Sequence, residues 1–168
     1  MVTLHAEASA AATPLTFGLN HIALHVRSVP EAVRFWTTVL GAKVHSFDET
    51  RDPTAGRQFA VNLGGVALAF FEQPGLAGWE TEFPHYAFTV TTESMLAAKA
   101  SLDAAGVITH AIWTRHKDEA LTYFRDPSGN LFELYCPHFD GADQLPLAMS
   151  AGGDYRPPIA DLRYDWKG

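Results

Sequence analysis

The chain has 168 residues, 47% of them apolar and 18% charged, with a formal net charge of −7 and a single cysteine. That size suits one sizeable domain or two small modules sharing a core, and the composition excludes wholesale disorder. The negative charge excludes a nucleic-acid backbone or an anionic membrane surface as the main partner, which leaves a small-molecule ligand; Cys136 alone closes no intrachain disulfide.

Residues 1–16 carry Glu7 and lack both a basic start and a long apolar stretch. Neither a signal peptide nor a membrane span is expected there, so the segment reads as a mobile arm and the protein as cytoplasmic. The first organised region, about 17–73, opens with the alternating LNHIALHV (19–26), a strand. PEAVRFWTTVLG follows with Val33, Phe35, Trp36, Val39 and Leu40 at helical spacing, Ser28 as N-cap with Glu31 three residues on, and Gly41 as the stop. AKVHSFD (42–48), RQFAVNL (57–63) and VALAFFE (66–72) read as strands, separated by DETRDPTAG and by Gly64–Gly65.

The second region, about 83–136, repeats that order. PHYAFTV (84–90) is a strand, and TESMLAAKASLDAAG (92–106) a helix starting near Thr92 or Ser94 and ending at Gly106. VITHAIWT (107–114), ALTYFRD (120–126) and NLFELYC (130–136) complete it, with a tight turn at DPSG (126–129). The helix-ending glycine comes 20 residues after His21 and 21 after His85; Leu68 comes 47 residues after His21 and Glu133 48 after His85. Such spacing describes one βαβββ unit, duplicated. The expected fold is α+β, two paired modules forming an open, curved mixed sheet around a metal site. The modules pair within one chain or across a dimer, and a homodimer is the expected assembly. The remaining segment, 137–168, is rich in Pro, Gly and Asp and too long for an ordinary loop. It reads as a surface-hugging tail, with wrapping a partner or covering the site as alternatives.

His21, His85 and Glu133 occupy matching places in the repeat. Two imidazoles and a carboxylate make a facial triad with open positions, suited to one divalent metal: Fe(II) if dioxygen is used, otherwise Mn(II), Zn(II) or Ni(II). A lone carboxylate among Leu131, Phe132, Leu134 and Tyr135 is costly to bury without a partner. Spacing alone leaves the other reading open, in which Glu133 meets an arginine or solvent and the histidines are strand residues.

LNHIALHV, SVPEAVRFWTTVLGAKV, PHYAFTV and LTYFRDPSGNLFELY together resemble the vicinal oxygen chelate superfamily over about residues 17–136. That superfamily includes glyoxalase I, fosfomycin-resistance thiol transferases, bleomycin-binding proteins and type I extradiol dioxygenases. The resemblance implies metal ligands at His21, His85 and Glu133. It implies a fourth ligand for glyoxalase I, where this chain is assigned Leu68, and a Thr for the fosfomycin enzymes, where it has Ala23. The order His116, Tyr123, Asp126-Pro127, Glu133 is similar to the extradiol signature, although Thr122 departs from it and no histidine lies near Phe70 and Phe71. The leading expectation is therefore an Fe(II) extradiol-type dioxygenase cleaving a catechol-like substrate. His116 would be its acid–base group, Tyr123 a hydrogen-bond donor, and Phe70 and Trp113 the ring contacts. Another metal-dependent isomerase, lyase or thiol transferase is the alternative, and a sequestering protein the third reading.

Overall fold

Strand β1 (His21–Val26) sets the layers. Its Ile22, Leu24 and Val26 are buried, while Ala23 and His25 are exposed and His21 half-buried, so one face meets the core and the other turns away. A computed structural model of the chain describes residues 19–48, 50, 58–76, 83–116, 118–162 and 166; the expected arm at 1–16 and most of the expected turn at 48–56 lie outside them.

Helix α1 (Val29–Thr38) begins as its sequence dictates: Ser28 accepts from the Glu31 N–H, and Pro30 sits in the first turn. The otherwise unpaired Val29 N–H donates to the Glu72 carboxylate at 2.7 Å, so the end of a strand also caps this helix. Gly41 takes the positive φ that lets the chain leave the helix. Then come β2 (Lys43–Val44), β3 (Gln58–Leu63) and β4 (Val66–Glu72). The sheet order is β1-β4-β3-β2, with β1 and β4 parallel and the other pairs antiparallel.

The second unit repeats this topology: β5 (His85–Thr89), α2 (Thr92–Ala104), β6 (Ala120–Arg125) and β7 (Leu131–Cys136), in the order β5-β7-β6 with β5 and β7 parallel. The N-cap of α2 is Thr91, one residue ahead of the expected start. The molecule is thus two βαβββ-like modules with mixed sheets. The strand expected at 107–114 does not form. Only Trp113 pairs with Leu121, through bonds of 3.0 and 2.8 Å, in the place β2 holds beside β3. Upstream, the Thr122 hydroxyl donates to the His110 carbonyl and the Thr109 hydroxyl to Asp103 of α2, so side chains replace the ladder there.

The core lies between the modules. Trp36 of α1 meets Phe132 of β7 with ring centroids 4.7 Å apart, nearly perpendicular, and also touches Phe88 and Phe124. Trp36→Ala should therefore lower unfolding free energy by about 3–5 kcal/mol. The check is the denaturant midpoint at unchanged slope; a loss under about 1 kcal/mol would remove Trp36 as the joint between modules.

The DPSG turn is a second joint. Asp126, fully buried, accepts from the N–H groups of Ser128 and Asn130 and from the Asn130 amide. In turn, Ser128 Oγ accepts from the Arg27 N–H at 2.9 Å and the Asn130 amide donates to the His25 carbonyl at 3.0 Å, latching the second module to the end of β1. Burial pushes the Asp126 carboxyl up to about 6 despite these bonds. A raised folded-state value means the native protein holds this proton more tightly than the unfolded chain. Its contribution is full below 3.8, the ordinary value, and is lost as pH rises through about 6. Stability should accordingly decline by roughly 2–3 kcal/mol across that window. Asp126→Asn should flatten the decline in urea titrations; an unchanged slope would assign it to another group.

Residues 145–162 do more than hug the surface. Ala148, Ile159 and Leu162 cluster with Trp113, Leu121, Tyr123 and Leu131 on the outer face of the second sheet, which is why β6 is buried along its whole length. The Thr114 N–H donates to the Pro146 carbonyl at 3.0 Å and the Ala148 N–H to the Thr114 carbonyl at 2.8 Å. The backbone at Gly153 approaches Leu147 so closely that any Cβ would overlap its carbonyl. Among the described residues no helix is long and apolar enough to cross a membrane.

Candidate active site

Alternation along β7 sends Phe132 and Leu134 into the core and Glu133 to the outer face, opposite Ala87 of β5 and Tyr123 of β6. Glu133 is buried there, and its Oε2 lies 3.1 Å from His85 Nε2. Burial raises the Glu133 carboxyl, opposed by a hydrogen bond from the Tyr123 hydroxyl and by the charges of His85 and Arg115. His85 and Tyr123 also meet edge to face, their centroids 5.4 Å apart.

These groups border a cavity of about 520 Å³. One wall is aromatic: Tyr123 stacks on Trp113 at 6.3 Å, and Trp113 meets Tyr155 of the C-terminal segment at 6.2 Å. Arg115 stands at the rim, held by Glu119 at 3.1 Å, and Glu119 in turn accepts from the Tyr135 hydroxyl at 2.8 Å. The cavity joins an imidazole–carboxylate pair to an apolar wall and a cationic rim, an arrangement able to hold and polarise a small ligand.

Of the residues expected at the site, His85, Glu133, Tyr123 and Trp113 come together around this cavity. The other three lie elsewhere. His21 sits on the outer face of β1, where its Nδ1 is 2.9 Å from Asn20 Oδ1, and it does not border the cavity. Among the described residues no three His, Cys, Asp or Glu side chains gather to hold a metal. Phe70 corrects a second expectation: it is fully buried in the core, and its neighbour Phe71 takes the outer face, against His25. His116 is exposed at a bend, with backbone bonds to the Thr114 hydroxyl, and is not among the cavity residues.

The register corrects the fourth position as well. His85 pairs with Leu131 and Ala87 with Glu133; His21 pairs with Ala67 and Ala23 with Ala69. The counterpart of Glu133 is therefore Ala69, while Leu68 faces the core. Alanine, like leucine, has no side-chain donor for a metal. Sequence reasoning missed Arg115, Tyr155 and Arg156, all at the cavity. For Tyr155 and Arg156 the only signal was an aromatic and a cation within a tail too long to be a connection.

Residues 18–134 match the family model described as the Glyoxalase/Bleomycin resistance protein/Dioxygenase superfamily. A glutathione transferase, FosA, of Serratia marcescens is 33% identical over 119 residues, covering 70% of this chain and 79% of that protein. Among solved structures, a mutant of the fosfomycin resistance protein FosX from Listeria monocytogenes, complexed with Mn(II) and 1S,2S-dihydroxypropylphosphonic acid, superposes with a TM-score of 0.59 at 25% identity, covering 77% of this chain and 97% of that one. A glyoxylase/bleomycin resistance protein/dioxygenase domain from a Frankia species gives 0.60 at 22% identity, covering 72% and 92%. These relatives overturn the expected extradiol dioxygenase, since the named enzymes are a glutathione transferase and a fosfomycin resistance protein. The position of His116 agrees with the correction: the group assigned to oxygen chemistry is not at the cavity.

Proposed function

Since this chain belongs to the glyoxalase/bleomycin resistance protein/dioxygenase superfamily, we propose that it is a metal-dependent thiol transferase acting on a small electrophile such as an epoxide. The observation that carries this is the buried Glu133 carboxylate held against His85 at the wall of a ligand-sized cavity, in a chain one-third identical to a glutathione transferase. Ala69, where a glyoxalase-type isomerase would need its fourth ligand, favours this reading over isomerisation.

His85 and Glu133 fit two of three donors for a divalent ion, with separate strands converging on one point. We assign the third to His21 of the partner subunit in a homodimer, because β1 presents that imidazole on an outward face. A divalent ion held by this set would supply Lewis-acid polarisation of a substrate oxygen. Tyr123 holds the Glu133 carboxylate in place, as outer-sphere partners of metal ligands do. The aromatic wall excludes water and packs the electrophile's carbon body. The thiolate sulfur forms a C–S bond as the ring C–O bond breaks, and the released alkoxide takes up a proton.

The test is incubation with Mn(II), glutathione and a panel of small epoxides that includes fosfomycin, read by mass spectrometry. A metal-dependent glutathione adduct should form from at least one member, at least about 10²-fold faster than without enzyme. Metal-loaded protein giving no adduct across the panel would overturn the reading. Ala23, in place of the threonine hydroxyl of the fosfomycin enzymes, predicts that fosfomycin is not the best member.

A further inference from the structure

The His85–Glu133 pair and the family match both lie in the first four-fifths of the chain, yet the cavity is completed by the C-terminal segment. Ala148, Met149, Tyr155 and Arg156 border it, all beyond residue 134, where the family match ends. Tyr155 extends the wall of Tyr123 and Trp113 into a run of three rings. The two guanidinium groups at the cavity differ. Arg115 is paired with Glu119 at 3.1 Å, whereas Arg156 has no ion-pair partner among the described residues. Among the described residues, the only carboxylate bordering the cavity is Glu133, and His85 and Tyr123 already engage it. Positive charge therefore exceeds negative charge on the side the C-terminal segment covers.

A guanidinium without a carboxylate, next to stacked rings, matches a ligand with an oxyanion on a flat apolar body. We infer that the cavity accepts a small organic anion, a carboxylate or phosphonate on an aromatic or flat apolar frame, and that Arg156 of the C-terminal segment is the residue selecting that charge. This deepens the reading of the cavity as a substrate site and rests on it.

The experiment uses metal-free full-length protein without thiol, titrated with benzoate and phenylphosphonate as anionic probes and benzamide as a neutral counterpart. Tryptophan fluorescence and ligand-observed NMR report binding. Both anions should bind at least about tenfold more tightly than benzamide, and Arg156→Gln should cost about tenfold for the anions while leaving benzamide unchanged. Arg156 is exposed, so the substitution does not threaten the fold. Equal binding of benzamide and benzoate overturns the inference, as does an equal loss for all probes in Arg156→Gln, or no binding of either anion. Because neither metal nor thiol is present, that failure is separable from failure of thiol transfer: an adduct formed without anion preference sinks only this inference, and anion preference without an adduct sinks only the transferase.

Discussion

Glu133→Ala is expected to take bound metal from about one ion per chain to nearly none, and to lower turnover by roughly three orders of magnitude. Two effects combine. The variant loses an anionic donor, and it leaves His85 without the carboxylate 3.1 Å from its Nε2. Metal analysis of protein purified without chelators reads the first effect and adduct formation the second. The fold should survive, since Glu133 faces the cavity and the neighbouring Phe132 and Leu134 hold the strand in the core. A Glu133→Ala protein that keeps a full complement of metal would place the ion elsewhere and remove the proposed centre.

The second large effect is a rescue. If His21 serves the partner's site, His21→Ala and Glu133→Ala proteins should each be inactive alone, yet regain activity when unfolded and refolded together. In a mixed dimer one site carries both lesions and the other carries none. Half of randomly paired dimers are mixed, so about a quarter of all sites should work. Activity near zero in the mixture, with mixed dimers shown by mass, would assign His21 to its own chain or to no site. The arrangement is testable because His21 and Glu133 lie on different modules whose shared core faces away from both.

Much of the scaffold was legible in the sequence, for identifiable reasons. Gly41 and Gly106 mark both helix ends because each carries the positive φ that lets the chain turn out of a helix. The alternation in HIALHV gives the two faces of β1, since only one of them is buried. Where alternation fails, so does the reading. VALAFFE is apolar on both faces, so its phase cannot be taken from its own residues and is fixed only by parallel pairing with β1. Assigning Leu68 to the outer face and Phe70 to the ligand are the same one-residue error. The pair His85–Glu133 was legible because the repeat gave both positions, whereas the distance to His21 depends on how whole modules are placed, which no local pattern records. The segment at 145–162 lacks periodicity altogether and reaches its position through single backbone bonds to Thr114 and a few side chains.

That segment leaves the two halves of the repeat under unequal constraint. Strand β6 is enclosed from above and below, so a saturation scan should find no permissive position from Ala120 to Arg125. In β1 the same scan should find tolerance recurring every second residue, at Ala23 and His25, interrupted by His21 if it serves the centre. Strands of one repeat would then drift at different speeds, β1 free to vary on its outer side and β6 locked on both.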